Sequence, residues 1–64
     1  MGSTFDIFRL LPDGPLWITS VDGLMEAKER MARLVLITPG EYFIYSQENG
    51  VVAKHSQKER ADAI

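Results

Sequence analysis

The only histidine, His55, stands near Ser56 in sequence and could also meet Ser46 through folding; with a carboxylate it could activate a serine hydroxyl. A lone histidine near the end of a strand is more often half-buried or solvated, so no catalytic residue is assigned. Glu26 and Glu29 are three apart, which on a helix sets both carboxylates on one side, where they could move protons or hold a hard cation. They are interleaved with Lys28, Arg30 and Arg33, and the commoner result of such interleaving is a solvated, salt-linked face. The five glycines are isolated and build no phosphate loop, and neither His-Glu-x-x-His nor an EF-hand loop occurs. The sequence points to no metal site and no cofactor.

Binding chemistry is better represented. Six aromatic residues (Phe5, Phe8, Trp17, Tyr42, Phe43 and Tyr45) fall in a chain of 64. Trp17 can be read as a core filler or as an anchor for a protein or a nucleobase. Arg9, Lys54, Lys58 and Arg60 could line exposed aromatics with positive charge, as single-stranded nucleic-acid platforms do. A net charge of −2 and a pI near 5.2 weigh against that use, because phosphate binding needs clustered cations. Met25 and Met31 read as core filler on a helix.

The elements that would position these residues are marked by turns. Phe5–Leu11 reads as a strand, Pro12-Asp13-Gly14-Pro15 as a turn, and Leu16–Val21 as the returning strand. From Leu24 the apolar residues fall at Leu24, Ala27, Met31, Leu34 and Val35, a helical stripe that Asp22 or Gly23 would cap and Thr38-Pro39-Gly40 would end. Glu41–Gln47 and Val51–His55 form a second hairpin about Asn49-Gly50, a type I′ signal. The fold class expected is α+β, β-β-α-β-β: a four-stranded, mainly antiparallel sheet with one helix packed on one face. Residues 5–56 make a single domain, and 1–4 and 57–64 are expected to be flexible or weakly ordered.

With two-residue turns at Asp13-Gly14 and Asn49-Gly50, Leu10 faces Trp17, Phe8 faces Thr19, and Tyr45 faces Lys54. One sheet face then carries Phe8, Leu10, Trp17, Val21, Phe43, Tyr45 and Val52, with Asp6, Thr19, Gln47 and Lys54 among them. The other carries Phe5, Ile7, Leu11, Leu16, Ile18, Tyr42, Ile44, Val51 and Ala53, with Arg9, Ser20, Ser46 and His55. A helix of about 13 residues covers one face only, so a second apolar face is left for a partner. The aliphatic face is expected under the helix, and the aromatic one, with Phe8, Trp17, Phe43, Tyr45 and Val52, at the interface.

Size supports association. A single core in a chain below about 70–80 residues rarely supplies more than about 3–5 kcal/mol, and without cysteine no disulfide can add to it. The expected partner is a second copy of the chain, a dimer first, with a protein partner also possible. No run reaches the roughly 18 apolar residues of a membrane span. Absence of cysteine fits a reducing compartment, and with no targeting segment read the cytoplasm is the expected location.

The run Trp17-Ile18-x-x-Val21, then Ala27-x-x-Arg30, then Pro39-Gly40-Glu41-Tyr42-Phe43 resembles a pattern of short uncharacterised bacterial proteins. The resemblance spans about Phe8 to Val52, implies a bacterial source and carries no activity. The reading reached is a small non-enzymatic module that self-associates and mediates protein–protein interaction. The alternatives are a dimeric nucleic-acid-binding regulator using Arg9, Lys54 and Lys58, or an oligomer that binds a small ligand.

Overall fold

Alternating branched and aromatic residues draw the chain into strands on both sides of one period-3.6 segment. The computed structural model describes residues 3–55. The order is β1 (Thr4–Leu11), β2 (Gly14–Asp22), α1 (Leu24–Ile37), β3 (Glu41–Ser46) and β4 (Gly50–His55). The four strands form one antiparallel sheet in the order β2-β1-β3-β4, so the two hairpins meet through β1 and β3. This is the β-β-α-β-β arrangement expected. Thr4, assigned from the sequence to a flexible start, belongs to β1 and pairs with Asp22. The expectations for residues 56–64 lie outside the described residues.

The helix begins at Gly23, whose φ of 90° suits a residue without Cβ and whose carbonyl accepts from the Ala27 N–H at 3.0 Å. No side chain caps it; instead the Gly23 N–H donates to the Ser3 carbonyl at 2.9 Å, tying the helix entry to the start of β1. At the far end the Thr38 N–H donates to the Leu34 carbonyl at 2.8 Å and the Tyr42 hydroxyl donates to the Thr38 carbonyl at 2.6 Å. Arg9 completes this corner. Its Nη2 donates to the Pro39 carbonyl at 3.4 Å, and its guanidinium lies 5.9 Å from the Tyr42 ring centroid.

Ala27 and Met31 on α1 close over Phe5, Ile7, Tyr42 and Ile44. Ile7 and Ile44 are opposite each other on the central strands and are wholly buried. Val21, Leu34, Val35, Val52 and Ala53 pack around this cluster. Among the described residues the core is thus six buried apolar residues.

The registers differ from those expected, for one reason in each hairpin. Leu11 pairs with Gly14, so Pro12 and Asp13 are the turn; proline's fixed φ suits the first turn position, and Gly14 takes the positive φ of 130°. In the second hairpin Ser46 pairs with Gly50 around a three-residue loop. A type I′ turn would need Asn49 at positive φ, and among the described residues only glycines have one. The Ser46 hydroxyl instead accepts from the Glu48 N–H at 3.2 Å and the Asn49 N–H at 3.4 Å.

Each hairpin also contains a register shift, which leaves Ile18 and Val52 without a Cα partner. One extra residue reverses the faces beyond it. The Pro12-Asp13 turn sets Phe8 against Trp17 rather than Thr19, and the three-residue loop sets Tyr45 against Val51 rather than Lys54, which on the far side of the bulge faces Phe43. Thr19 and Val21 move to the helix side with Ile7 and Phe5, while Ser20 and Val51 move to the open side with Asp6 and Tyr45. Val52, expected on the aromatic face, packs against the buried cluster.

Candidate functional site

The sheet face turned away from α1 is a grid of three cross-strand rows, each written from β2 to β4. The first is Ser20, Asp6, Tyr45 and Val51. The second is Trp17, Phe8, Phe43 and Lys54, and the third is Pro15, Leu10 and Glu41. Phe8 and Phe43 stack at the centre, with centroids 5.1 Å apart and planes 9° from parallel. Tyr45 sets its edge against Phe8 at 6.3 Å and 90°. These geometries suit ring quadrupoles and hold the three aromatics as one rigid surface.

Trp17 extends this surface onto the edge strand β2 and is 55% exposed, which decides against its use as core filler. Its Nε1–H donates to Asp6 Oδ1 at 3.3 Å, and the Ser20 hydroxyl donates to the same oxygen at 2.6 Å. One carboxylate on β1 thereby holds two β2 side chains. Leu10 and Val51 are about half exposed on the same face. Of the expected interface residues the structure brings together Phe8, Trp17, Phe43 and Tyr45 and excludes Val52. Sequence reading missed Val51, because it took a two-residue turn at Asn49-Gly50 where a three-residue loop sets Val51 opposite Tyr45.

The basic strip does not assemble. Lys54 lies on the open face beside Phe43, but Arg9 alternates with Phe8 and sits on the helix side against Tyr42 and Gly40. Lys58 and Arg60 lie outside the described residues. His55 and Ser46 are separated: His55 is opposite Tyr42, four residues along β3 from Ser46, or about 13 Å, and Ser56 lies outside the described residues. Glu26 and Glu29 are exposed on α1, and among the described residues no three His, Cys, Asp or Glu side chains converge as metal ligands.

A depression of about 450 Å³ opens at the end of the sheet where Thr4, Asp6, Ser20, Ser46 and Glu48 meet. Its lining residues are all of polar type, unlike the mostly apolar lining of small-molecule sites. Compared with family models, curated proteins and solved structures, the chain matches none of them.

Exposed apolar residues also occur on α1, at Met25, Leu36 and Ile37. Met25 and Leu36 share an azimuth but lie eleven residues apart, about 16 Å along the axis, and Ile37 points about 100° away. They form no continuous stripe. The aromatic grid does, and among the described residues no helix is long and apolar enough to cross a membrane.

Proposed function

We propose that this chain is a small binding module that acts without catalysis. It associates with itself and mediates protein–protein contact through the open aromatic face. The observation that carries this reading is Trp17, which is more than half exposed yet oriented by Asp6 beside the stacked Phe8–Phe43 pair. Tryptophan, tyrosine and phenylalanine in a rigid patch are the residue types that anchor protein interfaces. A core of six buried apolar residues among those described gives association a thermodynamic reason as well, since covering the second face adds burial to that of the first.

Nucleic-acid binding is the weaker reading. The two central strands do offer stacked rings, but among the described residues Lys54 is the one cation there while Asp6 and Glu41 share the face. A cytoplasmic, bacterial setting belongs to the same proposal and is supported by the cysteine-free sequence and the short-protein pattern it resembles.

Molar mass by light scattering over a concentration series tests it. The expected value is near twice the 7.2 kDa chain mass and is held on dilution to the micromolar range. A mass of one chain at every concentration would contradict self-association.

A further inference from the structure

We infer that the occupant of the aromatic face is a second copy of this chain, related by a twofold axis that runs between β1 and β3, parallel to the strands. This rests on the self-association proposed above and adds its geometry. Charge decides the axis. Among the described residues the open face carries two carboxylates, Asp6 on β1 and Glu41 on β3, and one cation, Lys54 on the edge strand β4. Sheets packed face to face in the aligned mode leave two ways to place a twofold axis in the plane between them, along the strands or across them.

An axis along the strands lays β2 over the second copy's β4 and β1 over its β3. Phe8 then meets Phe43, and the Lys54 ammonium of each copy comes over the indole of Trp17, within reach of Asp6. Both copies gain the contact, a cation over an aromatic face beside a carboxylate. An axis across the strands lays β4 over β4 and sets Lys54 against Lys54, a like-charge meeting that costs interfaces affinity. The first placement is complementary and the second repels itself.

Area agrees. Four strands about 4.8 Å apart and about seven residues long present roughly 450 Å² in projection. With the relief of the rings added, that is the order of the ~800 Å² per partner found in stable interfaces. Trp17, Leu10, Tyr45 and Val51 supply its exposed apolar part.

The chain contains no cysteine, so introduced thiols report without background. Ser20→Cys and Val51→Cys are both at exposed positions, on opposite edges of the first row. Mixed and treated with a short bismaleimide, they are expected to give a two-chain product, whereas Ser20→Cys mixed with Pro15→Cys, from the first and third rows of β2, gives none. Lys54→Ala is expected to raise the dimer dissociation constant roughly tenfold, and Lys54→Arg, whose guanidinium also stacks on indole, to restore it. Coupling of Ser20→Cys to Pro15→Cys would overturn the strand-parallel axis and establish the crossed one. A dimer by mass that links through neither combination would overturn the use of this face in the inferred arrangement. A single-chain mass throughout would overturn the self-association reading itself, and the inference with it.

Discussion

The indole N–H of Trp17 on β2 donates to the carboxylate of Asp6 on β1 at 3.3 Å, and this bond lays a large exposed ring onto the sheet instead of letting it swing into solvent. An edge-strand tryptophan held in one orientation loses less side-chain entropy on contact, which is what makes a good anchor. The same carboxylate oxygen accepts from Ser20, so Asp6 orders the whole β2 side of the open face.

Trp17→Ala is expected to separate assembly from folding. The ring is more than half exposed, so its loss should cost the fold about 1 kcal/mol or less. As an interface anchor it should cost about 2 kcal/mol or more, near thirtyfold in the dissociation constant. Urea unfolding well above and well below the dissociation constant, read beside light scattering, distinguishes the two.

Ile44 carries the opposite expectation. It is fully buried against Ile7, and Ile44→Ala should cost about 2–5 kcal/mol, enough to unfold much of a domain this small. Ile44→Val should cost about 0.5–1.5 kcal/mol. Leu36→Ser, at 82% exposed, should leave the denaturation midpoint almost unchanged.

The second hairpin yields a contrast between neighbouring residues. Ser46→Ala removes the hydroxyl that accepts two loop N–H groups and should cost about 1 kcal/mol. Gly50→Ala forces a side chain to a φ of 80° and should cost about 1–2 kcal/mol. Asn49→Ala should cost only a few tenths, because Asn49 has no positive φ to maintain. A large loss at Asn49 in thermal unfolding would argue for the type I′ turn instead.

At the helix exit, Tyr42→Phe removes the donor to the Thr38 carbonyl and should cost about 0.5–1.5 kcal/mol. Gly40→Ala would place Cβ 3.1 Å from Arg9 Nε, so the guanidinium beside the Tyr42 ring must give by a few tenths of an ångström. Gly40→Ala and Arg9→Ala should therefore be non-additive in a double-mutant cycle of denaturant stabilities.

These expectations mark how far residue order alone reaches. The helix over Leu24–Ile37 was legible because its stripe changes period at Asp22-Gly23 and stops before Pro39. The helix side of the sheet was legible in Phe5, Ile7, Tyr42 and Ile44, whose alternation survives either register. Residues beyond the bulges were not legible. Whether Val21, Val51 or Val52 points to the helix depends on one unpaired residue per hairpin, and that is decided by loop geometry and by the Ser46 hydroxyl rather than by hydropathy. Trp17 was ambiguous for another reason, since a large ring suits a core and an interface equally.

The central claim, that the aromatic face is covered in the assembled protein, is tested most directly by Trp17 fluorescence, because it is the only tryptophan. Emission and acrylamide quenching would be followed across the dilution range used for light scattering. The account predicts blue-shifted emission and poor quenching when the mass is that of two chains, with both changing on dissociation at the same midpoint. Emission of a solvated indole, freely quenched while the mass remains that of two chains, would contradict it.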